Sequence, residues 1–150
     1  MTTHTYRTSL SWAGGTSSYE AYDRAHAVRL GPVDLQVSAD PAFRGDPALP
    51  NPEQLLLAAA SSCQLLSFLA VAARARVEVL RYEDTAEAVM PEDDRPVRIT
   101  RIVLRPHVVV RSATPERVLR LMEVAHRECF IANSLTSEIV VESTVEVTPG

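Results

Sequence analysis

The sequence predicts an α+β protein built of antiparallel sheets and two main helices. Alternating apolar and polar segments occupy both ends and the middle of the chain. Two proline-initiated amphipathic stretches interrupt them, so the order is β-rich, helix, β-rich, helix, β. That order lacks the regular strand–helix repeat of a parallel βαβ fold. A length of 150 residues, 46% hydrophobic and 23% charged, suits one domain with its own core. Residues 1–150 are therefore expected to form a single domain, without internal repeat or domain boundary.

At the N-terminus, Tyr6, Thr8, Leu10 and Trp12 alternate with polar neighbours, predicting a half-buried strand over residues 6–12. Gly14 and Gly15 supply a turn. Residues 19–24 and 26–30 are expected to be further strands, and Val33, Leu35 and Val37 mark another after Gly31-Pro32. Residues 39–50, with Pro41, Pro47 and Pro50, form a stiff loop that Phe43 and Leu49 would pin to a surface.

The first helix is expected to start at Pro52. Asn51 is a good N-cap, proline suits the first helical position, and Gln54 closes a capping box. Running toward Arg74, the helix carries Leu56, Ala59 or Ala60, Cys63, Leu66 or Ser67 and Ala70 at spacings of three and four, an apolar stripe. Leu55, Leu65 and Leu69 widen it, so burial on most sides is expected, as a core helix rather than a membrane span.

A strand region follows over residues 77–90, then an exposed turn at residues 91–96. Residues 97–110 are β-rich, with Pro106 expected at a bulge or edge because it cannot donate a ladder hydrogen bond. Thr114-Pro115-Glu116 opens a second helix with Val118, Met122, Ala125 and Cys129 on one stripe. Residues 131–136 suggest a short helical turn. Residues 139–147 alternate strictly as a closing strand.

Composition excludes several functions. A formal charge of −4 without a dense basic stripe argues against nucleic acid. The start of the chain has neither the basic leader nor the apolar block of a signal peptide, so the expected address is the cytoplasm. His4, His26, His107 and His126 show no metal-ligand spacing, and no cofactor-binding glycine loop is present. No metal and no cofactor are expected. No Cys-x-x-Cys pair suggests a disulfide isomerase.

Two cysteines remain. In a reducing compartment Cys63 and Cys129 are either small core residues or a redox couple. A cysteine that attacks a peroxide must be a thiolate, and burial alone would silence it. A nearby guanidinium would keep it ionised, and Arg44 and Arg24 are the candidates. Glu53 is the candidate carboxylate for holding that guanidinium, or else a simple first-turn acid favoured by the helix dipole. Ten helical residues separate Glu53 from Cys63 by about 15 Å, which favours a site built at a packed interface. His126 is either a base near Cys129 or a core-edge histidine.

Asn51-Pro52-Glu53-Gln54-Leu55 followed by Ala58-Ala59-Ala60-Ser61-Ser62-Cys63 resembles the signature of the osmotically inducible protein C and organic hydroperoxide resistance protein (OsmC/Ohr) family. The runs from Ile99 through Leu104 and from Ala125 through Leu135 are similar to that family's central strand and second cysteine region. The resemblance implies the OsmC-like fold in an intertwined homodimer, and reduction of organic hydroperoxides, with hydrogen peroxide reduced less well. It implies that Cys63 is the peroxidatic cysteine, Cys129 the resolving one in a Cys63–Cys129 disulfide, and Glu53 the acid that holds the catalytic arginine. One branch of the family draws that arginine from the loop before Asn-Pro-Glu, which points to Arg44 as first choice. The other draws it from near the N-terminus, which points to Arg24. Phe130 stands where relatives frequently carry proline, and Phe43, Phe68 and Phe130 are expected to shape the substrate pocket. The implied reductant is a dithiol, such as a lipoylated protein. The competing expectation is a non-enzymatic protein of the same fold that senses oxidants or binds a ligand.

Overall fold

The computed structural model describes residues 1–150. The chain divides into two compact units, Met1–Leu55 and Leu56–Gly150.

The first unit is an antiparallel three-stranded sheet, β1 (Thr8–Ser11), β2 (His26–Leu30) and β3 (Val33–Val37), in that spatial order. Leu30 pairs with Val33 across Gly31-Pro32, and Gly31 takes the positive φ of 58° that such a two-residue turn needs at its first position. The strand expected over residues 19–24 is not formed. Ala21 N–H bonds Ser18 O at 3.3 Å in a turn, and Asp23 Oδ1 accepts from Ala25 N–H at 2.9 Å. Local hydrogen bonding of an Asp side chain competes successfully with the ladder here. The following loop contains a 3-10 turn, Pro41–Phe43, capped by the Asp40 side chain.

The first helix, α1, spans Pro52–Arg74. Its start is the capping box expected from sequence: Asn51 N–H donates to Gln54 Oε1 at 3.0 Å, and Gln54 N–H to Asn51 Oδ1 at 2.9 Å.

In the second unit each long β segment breaks in two. Strands β4 (Glu78–Asp84) and β5 (Glu87–Val89) are separated by two residues, β6 (Arg101–Leu104) and β7 (Pro106–Arg111) by Arg105, and β8 (Glu138–Val141) and β9 (Thr144–Thr148) by Glu142 and Ser143. One sheet has the order β4-β7-β9 and the other β5-β6-β8. Both are mixed: β4–β7 and β5–β6 are antiparallel, whereas β7–β9 and β6–β8 are parallel. The single closing strand expected over residues 139–147 is thus two strands in two sheets. Pro106 is the first residue of a central strand, where its missing N–H leaves no gap in the ladder; the register shift lies instead between Val79 and Arg81.

Helix α2 spans Pro115–Glu128, with the Thr114 hydroxyl accepting from Arg117 N–H. Val118, Met122 and Ala125 are buried as the stripe predicts, while Cys129 lies one residue past the helix as its C-cap. A 3-10 turn, Ala132–Ser134, follows.

The main core joins Phe68, Val71 and Ala72 of α1 to Val108 and Val110 of β7 and to Val118, Met122 and Ala125 of α2. The buried face of α1 is Ala60, Gln64, Phe68, Val71 and Ala72, offset from the stripe expected through Cys63, Leu66 and Ala70. Leucine and alanine surround this helix, so its own pattern does not choose which face meets the sheets. Nor is it buried on most sides in the single chain. By length and composition α1 could cross a membrane, and only 28% of its most apolar stretch is buried. Leu66, 63% exposed, and Leu69, 38% exposed, stand on its open side.

Candidate active site

Cys63 and Cys129 are free thiols whose sulfurs lie near enough to shift each other's ionisation. Two elements bring them together. Cys63 sits in the middle of α1, half-buried at the edge of its core-facing side. Cys129, fully buried, ends α2 where the chain turns toward the 3-10 segment. Gln64 locks the two helices together from the core: wholly buried, its Nε2 donates to Met122 O at 3.3 Å and contacts Met122 Sδ at 3.2 Å.

The turn after Cys129 aims backbone N–H groups at both sulfurs. Ala132 N–H donates to Cys129 Sγ at 3.5 Å. For Cys63, burial pushes the thiol up, but the backbone N–H of Ile131, the Cys129 thiol, the backbone N–H of Phe130 and the Ser67 hydroxyl together outweigh it. The result lies below the ordinary thiol value of 9.0. Cys129 moves the other way. Burial raises it, and the Cys63 sulfur raises it further, against the N–H groups of Ala132 and Ile131. The first sulfur to ionise is Cys63, with Cys129 as its thiol donor.

A cavity of about 530 Å³ opens beside Cys63, lined by Cys63, Leu66, Ser67, Ala70 and Phe130. An Arg74–Glu128 ion pair, 3.2 Å, also faces it. Phe130 is 77% exposed at this cavity. Phe68, by contrast, is wholly buried and packs on Tyr82 with ring centroids 5.9 Å apart, so it belongs to the core. His126 is absent from the cavity; its Nδ1 is buried without a partner. Burial, with Asp84 and Cys129 nearby, raises the Tyr82 phenol well above its ordinary range, and its hydroxyl also lacks a partner.

The remaining candidates lie in the first unit. Glu53 Oε2 is buried with no hydrogen-bond partner. Phe43 and Arg44 occupy the exposed 3-10 turn and its left-handed cap, φ 65° at Arg44. Arg24 is half-buried among aromatic side chains. Neither arginine is in an ion pair with a carboxylate. Sequence reasoning missed Ser67, although its i+4 spacing from Cys63 placed it on the same face. It also missed the backbone donors of residues 130–132, which no residue type announces.

The model of the OsmC-like protein family matches residues 45–144. The chain belongs to the OsmC-like family. An OsmC-like protein of unknown function from Vibrio cholerae is similar, with a TM-score of 0.85 and 30% identity over 95% of this chain and 100% of that one. An organic hydroperoxide resistance protein from Legionella pneumophila is 20% identical with a TM-score of 0.66, covering 94% of this chain and 97% of that one. Another, from Elizabethkingia anophelis with thiocyanate bound, is 21% identical with a TM-score of 0.67, covering 97% and 99%. The last two share the OsmC-like fold with this chain. No curated protein sequence matches it.

Proposed function

We propose that this OsmC-like protein is a thiol peroxidase that reduces organic hydroperoxides to alcohols. The observation that carries the reading is the pair of thiols, Cys63 and Cys129, each shifting the other's ionisation beside an apolar cavity, with Cys63 the more acidic partner. Solved relatives of the same fold described as organic hydroperoxide resistance proteins support it.

In the proposed cycle the Cys63 thiolate attacks the terminal oxygen of ROOH. The O–O bond breaks, RO⁻ leaves and takes a proton, and Cys63 becomes a sulfenic acid. Cys129 condenses with it, releasing water and forming the Cys63–Cys129 disulfide. A dithiol, such as a lipoylated protein, reopens the bridge by exchange. Leu66, Ala70 and Phe130 would receive the hydrocarbon part of the substrate. Arg44 or Arg24 would supply the cation that steadies the thiolate and the peroxide oxygen, with Glu53 holding the guanidinium. The unpartnered Glu53 carboxylate oxygen fits that role.

The working unit in this proposal is a homodimer in the cytoplasm, residues 1–150 acting as one domain. The open apolar side of α1, Leu66 and Leu69 included, would meet a second copy rather than lipid.

The test is consumption of cumene hydroperoxide by reduced protein. Cys63→Ser should abolish it, and Cys129→Ser should allow one turnover and then trap Cys63 as sulfenic or more oxidised acid. Arg44→Met and Arg24→Met identify the cation by which one slows the first step. A Cys63→Ser variant as fast as the parent would disprove the mechanism. Oxidation of the thiols without turnover would instead favour a redox-sensing or ligand-binding protein.

A further inference from the structure

Glu128 stands where local chemistry disfavours it. It is the last residue of α2, at the negative end of that helix, where the dipole prefers cations such as its neighbours His126 and Arg127. Its partner lies on the other helix. Arg74, the last residue of α1, donates from Nη2 to Glu128 Oε2 at 3.2 Å. Two further contacts hold the last turn of α2, and both are local: Asn133 Nδ2 donates to Arg127 O at 3.1 Å, and Cys129 N–H donates to His126 O at 3.3 Å. Of the three, the ion pair alone crosses to α1.

That crossing bears on the thiols. Cys129 follows Glu128 directly and already has an extended backbone, φ −69° and ψ 113°, so its direction depends on how firmly the preceding turn is held. Helix ends held only by local bonds open easily. Arg74 lies eleven positions after Cys63, three turns on and on the same side of α1, about 16 Å along the axis. Helical side chains lean toward the N-terminus, which turns Arg74 back toward Cys63. Both partners of the ion pair line the cavity that holds Cys63. No arginine is among the groups that displace the Cys63 thiol, so the pair acts on position and not on ionisation. Its side chains are 68% and 53% exposed, which keeps the coupling small and sensitive to salt.

We propose that Arg74 and Glu128 are positioning residues that clasp the end of α2 to α1 and so hold Cys129 within bonding reach of Cys63. This rests on the reading that the two thiols form a disulfide, and it goes beyond that reading by naming what sets the ease of closure. The ion pair and the bridge restrain the same junction, so each favours the other.

The test is the equilibrium of the full chain at pH 7 with 2-hydroxyethyl disulfide and 2-mercaptoethanol, an uncharged couple. Two protein thiols are oxidised to the bridge as one molecule of the disulfide takes up their two hydrogens and becomes two thiols. Acid quenching and intact mass read the fraction bridged. No peroxide is involved, so the readout stands apart from the peroxidase assay. Glu128→Gln and Arg74→Met should each lower the equilibrium constant for bridge formation about two- to fivefold, the range of a partly exposed ion pair. The reversed pair, Arg74→Glu with Glu128→Arg, should restore it. High salt should lower the constant of the parent and leave that of Glu128→Gln in place. The pH midpoint of Cys63 alkylation by iodoacetamide should stay parental in every variant. Unchanged constants in both single variants, or losses that the reversed pair does not restore, would overturn the clasp. A raised alkylation midpoint in Arg74→Met would overturn it as well, by making Arg74 an electrostatic partner of Cys63. A parent that forms no bridge with the disulfide alone would overturn the disulfide reading and the clasp with it. A parental bridge equilibrium without peroxide consumption would count against the peroxidase reading alone.

Discussion

Cys63 and Cys129 are sixty-six positions apart in sequence, yet each sulfur shifts the other's ionisation where the middle of α1 meets the end of α2. The pair is asymmetric. The Cys63 sulfur gathers backbone N–H donors of Ile131 and Phe130, the Cys129 thiol and the Ser67 hydroxyl, whereas the buried Cys129 sulfur faces the charge developing on Cys63.

That asymmetry fixes the order of labelling. A thiol displaced below 9.0 carries more thiolate at neutral pH, and one displaced above it carries less. Iodoacetamide at pH 7 should therefore alkylate Cys63 well before Cys129, as peptide mapping would read. The rate at Cys63 should climb with pH with its midpoint below 9.0. Equal labelling of the two would contradict the assignment.

Phe130 contributes through its backbone as well as its ring. Phe130→Pro deletes one N–H donor to Cys63 and should raise the pH midpoint of Cys63 alkylation. Phe130→Ala keeps that donor and should leave the midpoint in place, while changing the KM for bulky hydroperoxides through the cavity wall.

Gln64 should matter to stability more than to chemistry. Gln64→Ala removes the bridge to Met122 and opens a hole in a fully buried place, a loss of about 2–3 kcal/mol, or roughly 5–10 °C in Tm. Gln64→Met fills the space without the unpartnered Oε1 and should cost under about 1 kcal/mol. Thermal denaturation followed by circular dichroism separates the two outcomes.

The open side of α1 makes a prediction about assembly. The parent protein should scatter light as twice the 16.5 kDa chain. Leu66→Glu with Leu69→Glu should shift it toward the single-chain mass, because a dry apolar contact does not tolerate paired carboxylates. An unchanged mass for the double variant would place the interface elsewhere.

What the sequence discloses is what local chemistry controls. Asn51, Pro52 and Gln54 announce the start of α1 because a capping box closes within four residues. Thr114 and Pro115 do the same for α2. The breaks at Arg105 and at Glu142 and Ser143 carry no such signal, since they arise from strands changing sheets, a matter of distant pairing. The face of α1 that enters the core was likewise hidden, with leucine and alanine on all sides. In the site, the cysteines were legible as residue types. The donors at residues 130–132 were not, because they are main-chain groups whose direction depends on how the chain leaves α2. Arg24 and Arg44 were visible only as alternatives; the turn around Tyr19 that gathers both replaced a predicted strand.

The most direct test of the whole account is a stoichiometric titration of reduced protein with cumene hydroperoxide, followed by non-reducing peptide mapping. One equivalent should convert the chain to a form carrying a Cys63–Cys129 bridge within a single polypeptide, with loss of two hydrogens from the intact mass. Full consumption of the peroxide with both thiols still free, or a bridge joining two chains instead, would contradict it.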